Sequence, residues 1–313
     1  MCGANRISFG MQDFDPNVQR RVNRIQPAEL FKKILTKKVR EAYKTIAFDL
    51  LIGQPGQTPL TMAKTCDQIV ELQPTLVQLS LMAYKPWVAK YQIQMLAEGP
   101  LPDFLERKEL LEVIHKKLKA AGYIRTGFEC YSLPNDPMTK AFEEGTAHYG
   151  ASGHQTGGRV NFIAVGSSSK SNLGDNYYAQ NFYDLNSYKK CLDKGVFPTF
   201  RGMKLSKDDK IRQHATQQLR SYFKIDFKQF ERIFKINPKE YFNKEIKHLE
   251  EMIKDDLITV SDKGIEITKL GRDFSQNISN VFDKYDPPTK SYNARLETIK
   301  RAKSDQAKVQ ELT

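Results

Sequence analysis

The stretch Asn5-Arg-Ile-Ser-Phe-Gly-Met-Gln-Asp-Phe-Asp-Pro-Asn-Val-Gln-Arg-Arg-Val-Asn-Arg24 decides how the rest of the chain is read. Ile7 and Phe9 alternate with Arg6 and Ser8, the period of a short strand, and Gly10 ends it. Asp15 and Pro16 then open a helix: the carboxylate caps free backbone N–H groups, and a proline in the first helical position loses nothing. Val18 and Val22 give the helix a buried stripe, while Arg20, Arg21 and Arg24 occupy the rest. The strand thus presents Gln12 and Asp13 at its C-terminal mouth, with Arg24 one short helix away. Ligands of parallel α/β folds bind at that mouth, although an ordinary strand–helix unit reads the same way.

Outward from this stretch the pattern repeats. A helix starts at Pro27, with Leu30, Phe31, Ile34, Leu35, Val39 and Ala42 on its apolar face. Residues 45–53 form a nearly continuous apolar run, the mark of a strand buried on both faces. Asp49 interrupts it, and a carboxylate there needs either a local hydrogen-bond partner or the hydroxyls of a ligand. The turn Gly53-Gln-Pro-Gly-Gln-Thr58 leads into a helix running to Pro74, and a third apolar strand is expected over 75–83. Strand–helix repeated three times is the pattern of a parallel sheet or barrel.

The remainder is expected to hold a helix over 103–121, one strand over 123–131, and a solvent loop over 148–158 with incidental histidines His148 and His154. A strand over 160–166 and a donor-rich loop over 166–175 follow. From Arg201 the chain turns to lysine-rich helices, beginning with the capping box Ser206–Asp209. A helix capped by Asn237 and Pro238 should reach Asp255, and 257–268 reads as a hairpin. Helices followed by such a wing resemble a winged helix. These readings give domains at 1–200 and 201–287, with a polar tail at 288–313.

The chain has 313 residues, 40% hydrophobic and 27% charged, with a net charge of +12. That composition fits a globular protein, and no apolar run reaches membrane-spanning length, which points to a cytoplasmic address without a membrane partner. The basic balance suits a polyanion: nucleic acid, anionic lipid or a small polycarboxylate. The lysines are dispersed rather than gathered on one element, which argues against nucleic acid. Cys2, Cys66, Cys130 and Cys191 are too widely spaced for a zinc or iron–sulfur site, so no metal ligands are expected from them.

The spelling of 5–14 and 18–24, the turn 53–58, Tyr178-Ala-Gln-Asn181 and the run from Arg201 to Arg212 resemble the oxygen-independent coproporphyrinogen III oxidases, radical S-adenosylmethionine (SAM) enzymes of haem and porphyrin biosynthesis. The resemblance extends to about Pro287. It implies an α/β fold: the second half of a partial (β/α)6 radical-SAM barrel, strands four to six, followed by a mainly helical, winged-helix-like C-terminal domain. The implied activity is oxidoreductase: oxidative decarboxylation of two propionates of coproporphyrinogen III, giving protoporphyrinogen IX.

The implied cofactors are SAM and a [4Fe–4S] cluster, with a porphyrinogen substrate, an electron donor and an electron acceptor as partners. Carried over residue by residue, the resemblance makes Gln12, Arg24 and Asp49 contacts of SAM, the guanidinium for the methionyl carboxylate and the others for ribose hydroxyls. Ala83 and Lys170 fall where the family contacts SAM partly through backbone; Lys170 stands where the family has an apolar residue. No catalytic residue is implied. Tyr149, Gly150 and His154 depart from the family's spelling of a segment that walls the active site. The family's Cys-x-x-x-Cys-x-x-Cys cluster motif has no counterpart, so the expectation is a sequence lacking the family's N-terminal third: one half of a split enzyme completed by a separate N-terminal half, a misassigned start codon, or a remnant. Two other readings stand beside it. Haem chaperones share the barrel, but their Glu-Pro-Gly-Thr turn is replaced by Tyr84-Lys-Pro-Trp87. A winged-helix nucleic-acid binder would rest on charge and the C-terminal domain.

Overall fold

Strand β1 (Arg6–Gln12) runs parallel to β2 (Thr45–Ile52), which runs parallel to β3 (Leu76–Leu81). The computed structural model describes residues 3–84, 91–150, 153–157, 161–174 and 176–285. They fold as two compact units, 3–143 and 144–285.

In the first unit α1 (Pro16–Arg21), α2 (Ala28–Ile34) and α3 (Lys37–Ala42) lie between β1 and β2 in the chain. Asp15 caps α1 as its sequence demands, accepting from the Asn17 and Val18 amides. The single helix expected after Pro27 is two, because the Thr36 hydroxyl caps a fresh start at Lys37. Of its expected buried face, Phe31 and Leu35 are buried but Leu30 is exposed. Helix α4 (Pro59–Leu72) links β2 to β3, and its Met62, Cys66 and Ile69 are fully buried. After α5 (Tyr91–Ala97), α6 (Phe104–Ala120) packs Leu110, Ile114 and Leu118 into the same core. The expected single strand over 123–131 is a hairpin, β4 (Ile124–Arg125) and β5 (Cys130–Ser132), and α7 (Pro137–Glu143) follows. Strand β5 joins β3 antiparallel, giving the order β1-β2-β3-β5-β4, with β1 at one edge.

Register separates the faces of the parallel strands. Phe9 pairs with Phe48, and both rings meet Phe31 of α2 edge-on, with centroids 5.8 and 5.3 Å away. Phe14 joins them at 5.5 Å from Phe31. Edge-to-face aromatic pairs contribute about 0.5–1.5 kcal/mol each beyond their buried area. On the other face stand Arg6, Ser8, Asp49 and Gln78, so polar groups line the side turned away from the helices.

The second unit begins with the hairpin β6 (His148–Gly150) and β7 (Gly153–Gln155). The expected solvent loop is therefore wrong: His154 is fully buried, its Nε2 3.4 Å from the Arg220 carbonyl, and His148 is nearly so, its Nε2 3.4 Å from Gln217 Nε2. The strand expected over 160–166 is one bridge, Phe162 to Asn172, among its described residues. The supposed donor loop instead contains β8 (Lys170–Leu173), which pairs with β9 (Tyr177–Asn181). After α8 (Leu185–Asp193), β10 (Thr199–Lys204) completes a sheet ordered β10-β9-β8. The position 200/201 falls inside β10, where Arg201 pairs with Gln180.

Helix α9 (Lys207–Tyr222) carries the expected capping box, with Ser206 and Asp209 bonded reciprocally. Strand β11 (Lys224–Asp226) and α10 (Phe227–Phe234) follow. The helix expected to reach Asp255 is α11 (Pro238–Tyr241), α12 (Asn243–His248) and α13 (Glu250–Lys254). Strands β12 (Ile258–Val260) and β13 (Gly264–Ile267) form the expected hairpin, and β11 adds a third strand in the order β11-β13-β12. A 3₁₀ turn and α14 (Ser275–Asn280) close the unit as a winged-helix-like domain. The expected tail at 288–313, and all but Tyr84 of the Tyr84-Lys-Pro-Trp87 turn, lie outside the described residues.

Candidate functional site

The end of β1 is shaped by a bulge. Pairing slips between Phe9 and Gln12, so Gly10 and Met11 together stand against Asp49. The Asp13 amide donates to the Met11 carbonyl at 2.8 Å, closing a three-residue turn centred on Gln12 at φ 63°. A non-glycine residue held there costs about 1–2 kcal/mol, a strain that concentrates at functional positions. The turn brings Gln12 over Gly10, beside Arg24. A Cβ on Gly10 would stand 2.9 Å from Gln12 Nε2 and 3.0 Å from Arg24 Nη2. Only a glycine lets both side chains lie on the strand end.

Arg24 is fixed from two sides. Its Nη2 donates to the Gly10 carbonyl at 2.7 Å and its Nε to Gln26 Oε1 at 2.8 Å. Buried Gln19 ties the segment back, donating to the carbonyls of Asp13 and Gln26 and accepting from the Gln26 amide. Among the described residues no carboxylate pairs with the guanidinium, so its charge remains available to a ligand.

Asp13 is not at the mouth. It is 1% exposed, and accepts from the Thr65 hydroxyl at 2.6 Å, Gln57 Nε2 at 2.6 Å and the Asp15 amide at 2.8 Å. Burial raises its pKa more than these bonds lower it. Gln57 extends the latch: its Oε1 accepts from the Gly53 and Gln54 amides at 2.7 and 3.0 Å, and its Nε2 also donates to the Leu51 carbonyl. The turn after β2 thereby clamps to the turn after β1. Its Gly53, at φ 99°, lies under the Arg107 guanidinium, whose Nε donates to the Pro102 carbonyl at 2.9 Å. Gln57, Thr65 and Arg107 escape a reading of the sequence for site residues, since single residues on separate helices and turns leave no local pattern.

Asp49 has a local partner, accepting from the Ser8 hydroxyl at 2.8 Å. Burial raises its pKa, partly offset by that bond and by Arg6. Its register partner Gln78 keeps Oε1 buried without a partner among the described residues. Ala83 follows the end of β3, exposed, its carbonyl accepting from Gln92 Nε2 at 3.1 Å. Gln12 and Asp49 lie in the C-terminal halves of two neighbouring parallel strands, Arg24 bonds the end of the first, and Ala83 follows the end of the third. An unpaired guanidinium, a carboxylate with one hydroxyl partner and an orphaned amide oxygen suit a ligand carrying both a carboxylate and hydroxyls.

Lys170 lies in the other unit, on β8, its side chain exposed and without an ion pair or hydrogen bond among the described residues. It lines a cavity of about 560 Å³ between the β8–β9–β10 sheet and α9. The sequence carries a signal for it: α9 has a second stripe, Gln213, Thr216, Gln217 and Arg220, beside its apolar Ile211, Ala215 and Leu219.

Two of the cysteines are closed to a cluster. Cys66 and Cys130 are fully buried, and burial pushes both thiols up to about 12. Among the described residues no cluster of histidine, cysteine or acid is placed to hold a metal, and no helix is long and apolar enough to cross a membrane.

A family profile described as the HemN C-terminal domain matches residues 205–274. Oxygen-independent coproporphyrinogen III oxidase from Pseudomonas aeruginosa is 36% identical over 285 residues, covering 91% of this chain and 62% of the relative. The proteins of the same name from Helicobacter pylori (strain 26695) and Escherichia coli K12 are 33% and 32% identical, each over 90% of this chain and 62% of their own length. The chain therefore spans about three-fifths of the length of these relatives. Among solved structures, coproporphyrinogen III oxidase (HemN) from Escherichia coli, described as a radical SAM enzyme, superposes with a TM-score of 0.82 at 32% identity, over 90% of this chain and 64% of that one.

Proposed function

We propose that this chain, a relative of the oxygen-independent coproporphyrinogen III oxidases over nine-tenths of its length, carries the SAM-holding sheet of such an enzyme and serves the oxidative decarboxylation of coproporphyrinogen III. The observation that carries the reading is the junction at Gly10. A strained Gln12 and an arginine free of any carboxylate meet at the C-terminal end of β1, within a fold that matches the radical SAM relative. The names of the relatives favour neither a haem carrier nor a nucleic-acid binder.

In this reading Arg24 holds the methionyl carboxylate, Gln12 and Asp49 bond ribose hydroxyls, and Ala83 and Lys170 contact SAM partly through backbone. Asp49 does so by exchanging or sharing its Ser8 bond, which keeps the carboxylate on the open face of β2. Bound SAM supplies the family's hydrogen-abstracting radical chemistry. The spacing of this chain's cysteines does not fit the [4Fe–4S] ligands that this chemistry requires, and Cys66 and Cys130 are sealed in the core. What this chain does is bind, orient and shield. The porphyrinogen, an electron donor and acceptor and a cytoplasmic address complete the proposal, as does the division into domains at 1–200 and 201–287.

Isothermal titration of the chain with SAM and with S-adenosylhomocysteine, which keeps the carboxylate and ribose hydroxyls without the sulfonium charge, tests it. Arg24→Ala and Asp49→Ala should each weaken binding by about 10–100-fold, the equivalent of the ~1–3 kcal/mol lost when a polar group is left unpaired. Unchanged affinity in both variants refutes the assigned contacts. A wild-type chain that binds neither nucleoside refutes the reading itself.

A further inference from the structure

The cavity of the second unit is built like a seat for carboxylates. Across its floor Lys170 on β8, Gln180 on β9 and Arg201 on β10 stand in one register row, so their side chains share a face. Two residues along, Tyr178 and Met203 continue that face. The opposite wall is the polar stripe of α9, ending in Arg220. Three cations thus face one space, and no aspartate or glutamate is among its described lining.

Both arginines are held by neutral groups. Arg201 Nε donates to Gln180 Oε1 at 2.9 Å and its Nη2 to the Tyr183 hydroxyl at 3.1 Å. Arg220 Nε donates to Ser279 Oγ and its Nη2 to Asn280 Oδ1, each at 2.8 Å, while its guanidinium lies 5.0 Å over the Tyr149 ring. These bonds orient each fork without neutralising it, and a guanidinium has five donors, so most remain unused. Gln180 is 6% exposed, a buried hub that sets the Arg201 direction. On α9, Gln213 spends its amide nitrogen on the Tyr178 hydroxyl and keeps its Oε1 buried without a partner among the described residues. The volume is that of a small-molecule site.

We propose that this cavity binds propionate carboxylates of the tetrapyrrole, with Arg201 and Arg220 as the two carboxylate forks and Lys170 as a third charge at the rim. The inference rests on the function proposed above and adds to it the seat of the substrate's acid groups. A small polycarboxylate fits better than a phosphate backbone, because the cations converge on one open cavity rather than following a ridge.

The probe is coproporphyrin III, the stable oxidised tetracarboxylate, followed by its fluorescence on titration with the chain; etioporphyrin, with alkyl groups in place of acids, is the control. Arg201→Met and Lys170→Glu should weaken coproporphyrin binding by about tenfold or more, and the loss should shrink at high salt. Arg201→Lys should recover part of it. Lys170 makes no side-chain bond among the described residues, so its variant reads charge without disturbing the fold; Arg220→Met is read only where circular dichroism shows an intact unit. Wild-type chain that binds coproporphyrin with variants of equal affinity overturns the cavity assignment and leaves the proposed function standing. Equal binding of etioporphyrin, or displacement by inorganic pyrophosphate at equal charge, overturns the carboxylate reading. A wild-type chain that binds no coproporphyrin at all fails the functional reading instead.

Discussion

Replacing Asp13 tests whether the β1 end is held by the latch that shapes the site. In Asp13→Ala the Thr65 hydroxyl, one Gln57 N–H and the Asp15 amide lose their acceptor. Asp15 opens α1 at a partly exposed position where water can reach it, and Gln57 keeps its bond to the Leu51 carbonyl. Two buried side-chain donors then carry the cost at about 1–3 kcal/mol each, so the variant should lose about 3 kcal/mol. Asp13→Asn should lose less, about 1 kcal/mol, because its amide can donate to the Thr65 hydroxyl while its oxygen accepts from Gln57; the Asp15 amide loses out. The pH dependence has a defined sign. Burial raises the folded pKa of Asp13 above its ordinary value, so the folded state holds this proton more tightly than the unfolded chain. Its contribution is fully present below the ordinary carboxylate pKa and is lost as pH rises through the raised folded value. The cost of Asp13→Asn relative to wild type should therefore be larger in acid than at neutral pH. Hydrogen exchange of β1 and β2 amides in a urea series isolates this unit from the other. An Asp13→Ala chain within about 0.5 kcal/mol of wild type, or an Asp13→Asn cost that grows toward neutral pH, would refute the latch.

Further outcomes follow from the same geometry. Gln57→Glu should destabilise more than Gln57→Ala at neutral pH, since it sets a carboxylate against Asp13, and the gap should narrow in acid; paired urea titrations at two pH values read it. Gln12→Gly should relieve the φ 63° strain, raising stability by about 1 kcal/mol while weakening SAM binding, a split that calorimetry and ligand titration show together. In the second unit, burial of Asp208 and Asp209 is outweighed by bonds from Tyr241, Ser206 and Lys284, which hold both carboxyls below their usual range. Their contribution is present above the ordinary pKa and lost as pH falls through the lowered ones, so Lys284→Met should flatten the acid limb of that unit's stability curve, read by β13 amide exchange.

How much of this is legible in the sequence depends on whether the determining contacts are local. Caps are: Asp15, Thr58 and Ser206 each satisfy amides within three residues, and all three helices start where the spelling says. Strand β1 follows from its apolar–polar alternation and β2 and β3 from apolar runs, and Asp49, the anomaly in β2, does face the polar side. Failures come where long-range pairing overrides local pattern. His148 and His154 look solvated among glycines, yet both meet α9, His148 Nε2 lying 3.4 Å from Gln217 Nε2 and His154 Nε2 3.4 Å from the Arg220 carbonyl, more than sixty residues away. Lys170 reads as loop because its strand partner Gln180 lies beyond a turn rich in glycine and asparagine. Asp13 reads as a mouth residue for the same reason: its three partners include two that are 44 and 52 residues away.

The bulge at Gly10–Met11 connects these levels. Without it, Gln12 would continue the alternation of β1 and share a face with Ser8 and Gly10 in regular register, and nothing would press it against Arg24. Met11 keeps the core-facing side of Phe9 and is 1% exposed, and the chain turns at the next residue, Gln12. That turn is uphill, and its cost is offset by Asp13, which it delivers to Thr65 and Gln57. Gln57 in turn fixes the Gly53 turn under Arg107. Strain at Gln12 and the buried carboxylate beside it in the chain are thus one device: the bonds of Asp13 offset the cost of the turn. A site that needs a glutamine and an arginine at one strand end has to place them against local preference, and the buried bonds of Asp13 hold them there.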